Sequence, residues 1–223
     1  MEELISSAKD YKDELYKQLA RVGKCLSSDK RLEILNLLSH GPKTVEKLAQ
    51  DTGMNVANVS RHLQVLNDSR LVKFTKKGTY AIYSLADPSV VEFLFSLWHL
   101  GENHLSDITR IKEDFLGHME ELYTLTMDEV YEKLKKENII LIDLRPADEY
   151  EAGHIEDAVS VPMEKLDLYL QQLPRDKEVV AYCRGQFCAF SAIAAQKMKK
   201  QGFRAYRMAE SIHEWQKYLE LKH

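Results

Sequence analysis

From Thr126 onward, β-type and helical runs alternate along the chain. The β-type runs are Ile139 to Leu144, a short one near Val159, Val179 to Tyr182, and Arg204 to Arg207. Helical patterns separate them: Ala147 to Ala152, Glu164 to Leu173, Ser191 to Gln201, and Ile212 to Leu219. A capping box, Thr126-Met-Asp-Glu129, opens a further helix over Asp128 to Lys135. Strands that alternate with helices predict an α/β fold whose parallel sheet is covered on both faces. Ligands of such sheets bind at the carboxyl ends of the strands.

The first half of the chain follows other rules. Leu15, Leu19, Val22 and Leu26 recur at helical spacing, which predicts an amphipathic helix over about Tyr11 to Cys25. Ser27 or Ser28 caps the next helix, which carries Leu32, Ile34, Leu35 and Leu38 and stops at Gly41-Pro42. Thr44 caps a short helix, Val45 to Asp51, and Gly53 turns the chain. Asn55 then caps a helix to about Asn67 that faces Val59, Leu63 and Leu66 inward. Two β-type runs follow, Leu71 to Thr75 and Tyr80 to Leu85, joined as a hairpin by Lys76-Lys77-Gly78-Thr79. Asp87-Pro88 starts a helical pattern with Val91, Leu94, Leu97, Trp98, Leu105, Ile108, Ile111 and Phe115. That face is too apolar for the rim of a small domain, so a homodimer is expected. Gly117 to Thr124 reads as the junction, and the expected domains are 1–120, mainly α, and 121–223, α/β.

Composition agrees with two small soluble domains: 223 residues, 44% hydrophobic and 30% charged. The longest apolar stretch, Val90 to Leu100, is interrupted by Glu92 and His99 and is too short to span a bilayer. Met1-Glu-Glu-Leu lacks the order of a signal peptide, so a cytoplasmic protein without a membrane partner is expected. Three cysteines in a reducing compartment do not make a disulfide framework, and a close pair there points to catalysis, redox chemistry or metal binding. The net charge is −4, yet Val22 to Leu85 holds ten Lys/Arg against five Asp/Glu, which suits a polyanion.

Two helices joined by a Gly-containing turn, the second rich in short polar residues, have the helix-turn-helix layout. The second helix offers Asn55, Ala57, Asn58, Ser60, Arg61, His62 and Gln64. Arg can fork onto a guanine edge, and Asn or Gln onto adenine. Lys76 and Lys77 can lie against the phosphate backbone or minor groove, completing a winged helix. Residues 20–115, above all "SDKRLEILNLLSHGPKTVEKLAQDTGMNVANVSRHLQVLNDSRLVKFTKKGTYAIYSL", resemble the ArsR family of winged-helix repressors. The resemblance implies dimers formed by the first and last helices and binding to a palindromic operator in double-stranded DNA. Metal-sensing members carry Cys-x-Cys where this chain has Val45-Glu-Lys-Leu-Ala. Glu102, His104, His118 and Glu121 are spaced more widely than the zinc pattern of other members, so no metal is expected. Cys25 reads as a small buried apolar residue.

The remaining cysteines stand in "AYCRGQFCAFSAIAAQKM", Ala181 to Met198. A thiol at a strand-to-helix turn sits among amides that point into the loop, at the positive end of a helix. Such surroundings favour the thiolate, Arg184 adds positive charge, and Gly185 lets the backbone fold closely. The cradle suits a thiolate, a persulfide or an oxyanion. "LIDLRPADEYEAGHIEDAVSVP", with Trp215 after Gly202-Phe203, resembles the rhodanese family over about 124–220. The resemblance implies that Cys183 accepts a sulfane sulfur as a persulfide and passes it on. Arg184 and the amides of Gly185, Gln186, Phe187, Cys188 and Ala189 would then line the pocket. The usual loop is Cys-Arg-Ser-Gly-x-Arg; here Cys188 replaces the second arginine, and Glu210-Ser211 replaces a double glycine. Cys188 is therefore expected to resolve the Cys183 persulfide, with no cofactor. Phosphatases and arsenate reductases of this fold use Cys-x5-Arg, and Ala189 stands at that arginine position. Three functions remain open at this point. One is a DNA-binding regulator that senses or transfers reactive sulfur. The second is a thiosulfate or persulfide sulfurtransferase tethered to a repressor with another signal. The third is an oxyanion sensor without turnover.

Overall fold

A computed structural model describes residues 2–119 and 122–222. The chain divides into two compact units, the first through Leu100 and the second from Gly101. The residues at the expected 120/121 boundary, Glu121 of the zinc reading among them, lie outside the described residues.

The first unit contains α1 (Glu2–Leu26), α2 (Asp29–Ser39), β1 (Lys43–Thr44), α3 (Val45–Thr52), α4 (Val56–Asp68), β2 (Val72–Lys77), β3 (Tyr80–Leu85) and the start of α5 (Ser89–His104). Its helices begin at side-chain caps. Ser28 accepts from the Arg31 amide, Thr44 from Lys47, and Asn55 from Asn58. Ile34, Leu35, Leu48, Val59, Leu63, Leu66 and Leu94 close the core, and Cys25, 3% exposed, packs within it. The sheet order is β1-β3-β2. Strand β1 has no counterpart in the residue pattern: Lys43 and Thr44 pair with Tyr83 and Ile82, and the pair stands directly before the Thr44-capped helix with no strand-like run around it.

The hairpin is tighter than the sequence suggested. Lys77 pairs with Tyr80, so only Gly78 and Thr79 make the turn, and Gly78 has φ 62. That left-handed conformation favours glycine in a two-residue turn. Lys76 and Lys77 thus belong to strand β2, with exposed side chains. Helix α1 also starts well before Tyr11 and leaves Tyr11, Leu15, Tyr16 and Leu19 exposed. The apolar run after Asp87 is two helices, α5 and α6 (Ser106–Gly117), broken at Leu105 with φ −113 and ψ 92.

The second unit continues from the end of α5 through α6, β4 (Thr124–Leu125), α7 (Met127–Lys135), β5 (Ile139–Asp143), α8 (Ala147–Ala152) and β6 (Val159–Ser160). A 3-10 turn (Met163–Lys165) precedes α9 (Leu166–Leu170), β7 (Glu178–Tyr182), α10 (Phe190–Lys200), β8 (Ala205–Met208) and α11 (Ile212–Lys222). The five strands run in the order β4-β8-β7-β5-β6, all parallel. Successive side chains of a strand point to opposite faces. Val179 and Ala181 of β7 accordingly join Ile142 in one core layer, while Val180 and Tyr182 join Leu141 in the other. Strand β7 is the middle strand, and Cys183 follows at its carboxyl end. The winged helix-turn-helix and the covered parallel sheet are therefore both present, as the residue patterns predicted.

Candidate functional site

The floor beneath the thiol loop is polar, buried and dense with hydrogen bonds, with Arg145 Nη1 the one buried nitrogen of that side chain that has no partner among the described residues. Arg145 donates through Nη2 to Asp143 Oδ2 at 2.5 Å and to the Gly153 carbonyl at 2.7 Å. Asp143 also accepts from the Arg145 amide at 3.0 Å and from the Tyr182 hydroxyl at 2.6 Å. The same hydroxyl accepts from the Ile155 amide. Burial and the adjacent Asp143 push the Tyr182 phenol far upward, so it stays a neutral donor. These contacts tie the ends of β5 and β7 together one residue before Cys183.

Cys183 is 2% exposed, whereas Cys188 is half-buried. Their sulfurs lie 2.9 Å apart. The contact comes from a tight turn in which the Cys188 amide donates to the Gly185 carbonyl at 2.9 Å. Gly185 has φ 97, a conformation that favours glycine, and a Cβ there would also meet Ser211 Cβ tightly, at 3.3 Å. The hydrogen bond between the thiols draws Cys188 down to about 6, helped by the amides of Phe190, at the start of α10, and of Arg184, in the loop. The same contact, with burial, pushes Cys183 up. The pair holds one proton between two sulfurs near neutrality, with the charge favoured on Cys188. The sequence suggested a thiolate on Cys183 from the helix end; the sulfur of Cys188 at 2.9 Å acts on the same proton.

Arg184 does not lie open to an anion. Its Nε and Nη2 grip Glu149 at 2.9 and 2.6 Å, and Glu149 is fully buried. The side chains of Gln186 and Phe187 at the tip of the loop have contacts of their own. Gln186 hydrogen-bonds to Lys112 and Glu102, and Lys112 Nζ lies 4.7 Å from the Phe187 ring centroid. Ala189 serves as the N-cap residue of α10 without a side-chain cap. Sequence reasoning does not bring Glu149, Lys112 or Glu102 to this loop. Glu149 had a signal in the Glu-Tyr element of the rhodanese resemblance; Lys112 and Glu102 had none. Glu214 was missed too: it accepts from the Ser211 amide at 2.7 Å, and burial raises its carboxyl.

A pH profile checks the shared proton. Alkylation of Cys188 is expected to rise with a midpoint close to pH 6. Cys183→Ala removes the largest cause and should return the midpoint toward the ordinary thiol range. Peptide mapping after iodoacetamide at graded pH reads both; an unchanged midpoint in the variant would show that the thiols do not share a proton.

In the first unit, α4 buries Val59, Leu63 and Leu66 and exposes Ala57, Ser60, Arg61 and Gln64 on the opposite stripe. Asn58 is exposed beside that stripe, whereas His62 is half-buried. Asn55 is exposed, but its Oδ1 accepts from the Asn58 amide at 2.8 Å, so that oxygen is engaged in capping.

A winged helix-turn-helix unit followed by a parallel α/β unit with a cysteine loop on its middle strand defines a transcriptional regulator carrying a rhodanese-like domain. Residues 28–73 match the arsR family of bacterial regulatory proteins, and residues 126–218 match the rhodanese-like domain. The HTH-type transcriptional regulator Rv0324 of Mycobacterium tuberculosis is 35% identical over 92% of this chain and 90% of its own. The chain belongs to the ArsR family of regulators, in the form that carries a C-terminal rhodanese-like domain. Thiosulfate sulfurtransferase GlpE of Coxiella burnetii is 33% identical over 39% of this chain and 80% of its own. Among solved structures, the homodimeric winged helix-turn-helix DNA-binding domain Mb0332 of Mycobacterium bovis is 38% identical, covering 43% of this chain and 89% of its own, with a TM-score of 0.41. Among the described residues, no helix is long and apolar enough to cross a membrane.

Proposed function

We propose that this regulator binds operator DNA as a cytoplasmic homodimer and alters that binding when sulfane sulfur reacts at Cys183 and Cys188. The observation that carries the reading is the 2.9 Å separation of two thiols in one loop after β7. The proposed domains are 1–120 for DNA binding and dimerisation and 121–223 for sulfur chemistry. Exposed apolar side chains on α1, α5 and α6, among them Leu19, Phe93, Leu100, Ile111 and Phe115, support the dimer. The exposed stripe of α4, with Lys76 and Lys77 on the wing, supports DNA contact.

Cys183 is the acceptor and Cys188 the resolving thiol. Cys188 thiolate takes the Cys183 proton, and the Cys183 sulfur attacks the outer sulfur of a donor RSSH. The donor S–S bond breaks, RS⁻ leaves with that proton as RSH, and Cys183 carries –SSH. Cys188 thiolate then attacks Cys183 Sγ and displaces hydrosulfide, leaving a Cys183–Cys188 disulfide. The net change is two thiols and RSSH to one disulfide, RSH and hydrogen sulfide. The pairing of Arg184 with buried Glu149 offsets the loop's cation and favours an uncharged sulfur donor over oxyanion capture.

The test is mass analysis of full-length protein after polysulfide or thiosulfate, alongside operator binding. Cys188→Ser should retain about 32 Da per sulfur on Cys183. Wild type should pass to a link that thiol reductants reverse, and Cys183→Ser should gain no sulfur in the loop. Sulfur turnover with unchanged operator binding would instead identify a sulfurtransferase tethered to a repressor with another signal. Sulfur on Cys188 or Cys25 while Cys183 stays free would overturn the roles.

A further inference from the structure

The tip of the thiol loop is held from outside the loop. Lys112 Nζ donates to Gln186 Oε1 at 2.9 Å, and Gln186 Nε2 donates to Glu102 Oε2 at 3.2 Å. Lys112 also forms an ion pair with Glu102 and lies over the Phe187 ring. Gln186 thus bridges the two charged partners in a triangle of contacts, which Phe187 joins through Lys112. Glu102 lies near the end of α5 and Lys112 on α6, both within the second unit. Their side chains are only 21% and 26% exposed, so water screens them less than an ordinary surface pair.

The tip is also coupled to the sulfurs. Gln186 and Phe187 are the two residues inside the Gly185-to-Cys188 turn, closed by a 2.9 Å hydrogen bond. Cys183 is 2% exposed with Cys188 at 2.9 Å, so an added sulfur atom must displace Cys188 in a packed site. A shift of Cys188 moves the turn, and with it Gln186 and Phe187.

We propose that Lys112 and Glu102 are positioning residues that clasp the loop in its dithiol form, and that sulfur loading or disulfide closure opens the clasp. The proposal rests on the sulfur-handling reading and adds how that site is regulated. The coupling is reciprocal: contacts present only in the dithiol form must oppose formation of the loaded form. Removing the clasp therefore makes the loop easier to oxidise.

The experiment equilibrates the full-length protein in glutathione redox buffers and measures the dithiol-to-disulfide ratio by mass after alkylation. Lys112→Met and Glu102→Gln should each favour the disulfide by about three- to tenfold; tenfold is about 30 mV for this two-electron couple. Lys112→Arg keeps the charge and should stay within about twofold of wild type. Unfolding curves establish that each variant is folded, and Glu102→Gln decides the matter if Lys112→Met is not. Hydrogen exchange at residues 185–188 should be slow in reduced wild type, faster after oxidation, and already fast in reduced Lys112→Met. A folded variant whose ratio stays within about twofold of wild type would overturn the clasp while leaving the sulfur chemistry standing. Failure of wild type to form either persulfide or disulfide would remove the sulfur reading, and the clasp with it.

Discussion

Asp143→Ala is expected to destabilise the second unit by about 3–5 kcal/mol. Asp143 and Arg145 form an ion pair in which both side chains are fully buried. Removing the carboxylate leaves the Arg145 guanidinium in the interior with the Gly153 carbonyl and without its counter-charge. Tyr182 loses its acceptor in the same step. The cost is the penalty of a buried, uncompensated charge and not the worth of the pair itself. Asp143→Leu combined with Arg145→Met should therefore recover much of the loss, because no unpaired charge remains. Urea unfolding followed at the second unit's transition checks both. A loss below about 1 kcal/mol in the single variant would mean that water reaches Arg145. Because Tyr182 immediately precedes Cys183, the single variant should also loosen the thiol loop.

Arg61→Ala is expected to weaken specific operator binding by about 1–3 kcal/mol, the size of a lost bidentate base contact. Arg61 stands exposed on α4, opposite the buried Val59, Leu63 and Leu66, so truncation leaves the core intact. Lys76→Ala and Lys77→Ala should act differently. Both lysines lie exposed on β2, and loss of phosphate contacts weakens binding to all sequences and flattens the dependence on salt. Binding titrations of operator and scrambled duplex at several salt concentrations separate these effects. Equal loss on both duplexes for Arg61→Ala would place that residue on the backbone and not on a base.

The two units differ in how their sites could be read. Helix α4 was legible almost to the residue: Asn55 caps it, and Val59, Leu63 and Leu66 mark its inner face. The strand-helix alternation after Thr126 likewise announced the parallel sheet and placed Cys183 at a strand's carboxyl end. Strands β1 and β4, two residues each, had no counterpart in the residue pattern, whereas β6, equally short, was placed near Val159 by the strand-helix alternation around it. A lysine-glycine run looks like a turn throughout; only the Lys77–Tyr80 register moves the wing lysines into β2.

The residue types of the thiol loop were legible and their arrangement was not. Two cysteines with arginine and glycine after a β-type run suited a thiolate, a persulfide or an oxyanion. The partners of those residues come from far along the chain. Arg184 meets Glu149 on α8, and Gln186 meets Lys112 and Glu102, which are 74 and 84 residues away. The resting charge on Cys188 depends likewise on a 2.9 Å contact that no spacing specifies. Helix caps, period and turn residues act between near neighbours, so the sequence alone determined the elements, their order and the loop's residue types. Ion pairs and shared protons depend steeply on distance and burial. Only the tertiary structure, by folding distant residues to within about 3 Å, decided which charges meet, which thiols lie close enough to share a proton and which side chains contact the loop tip.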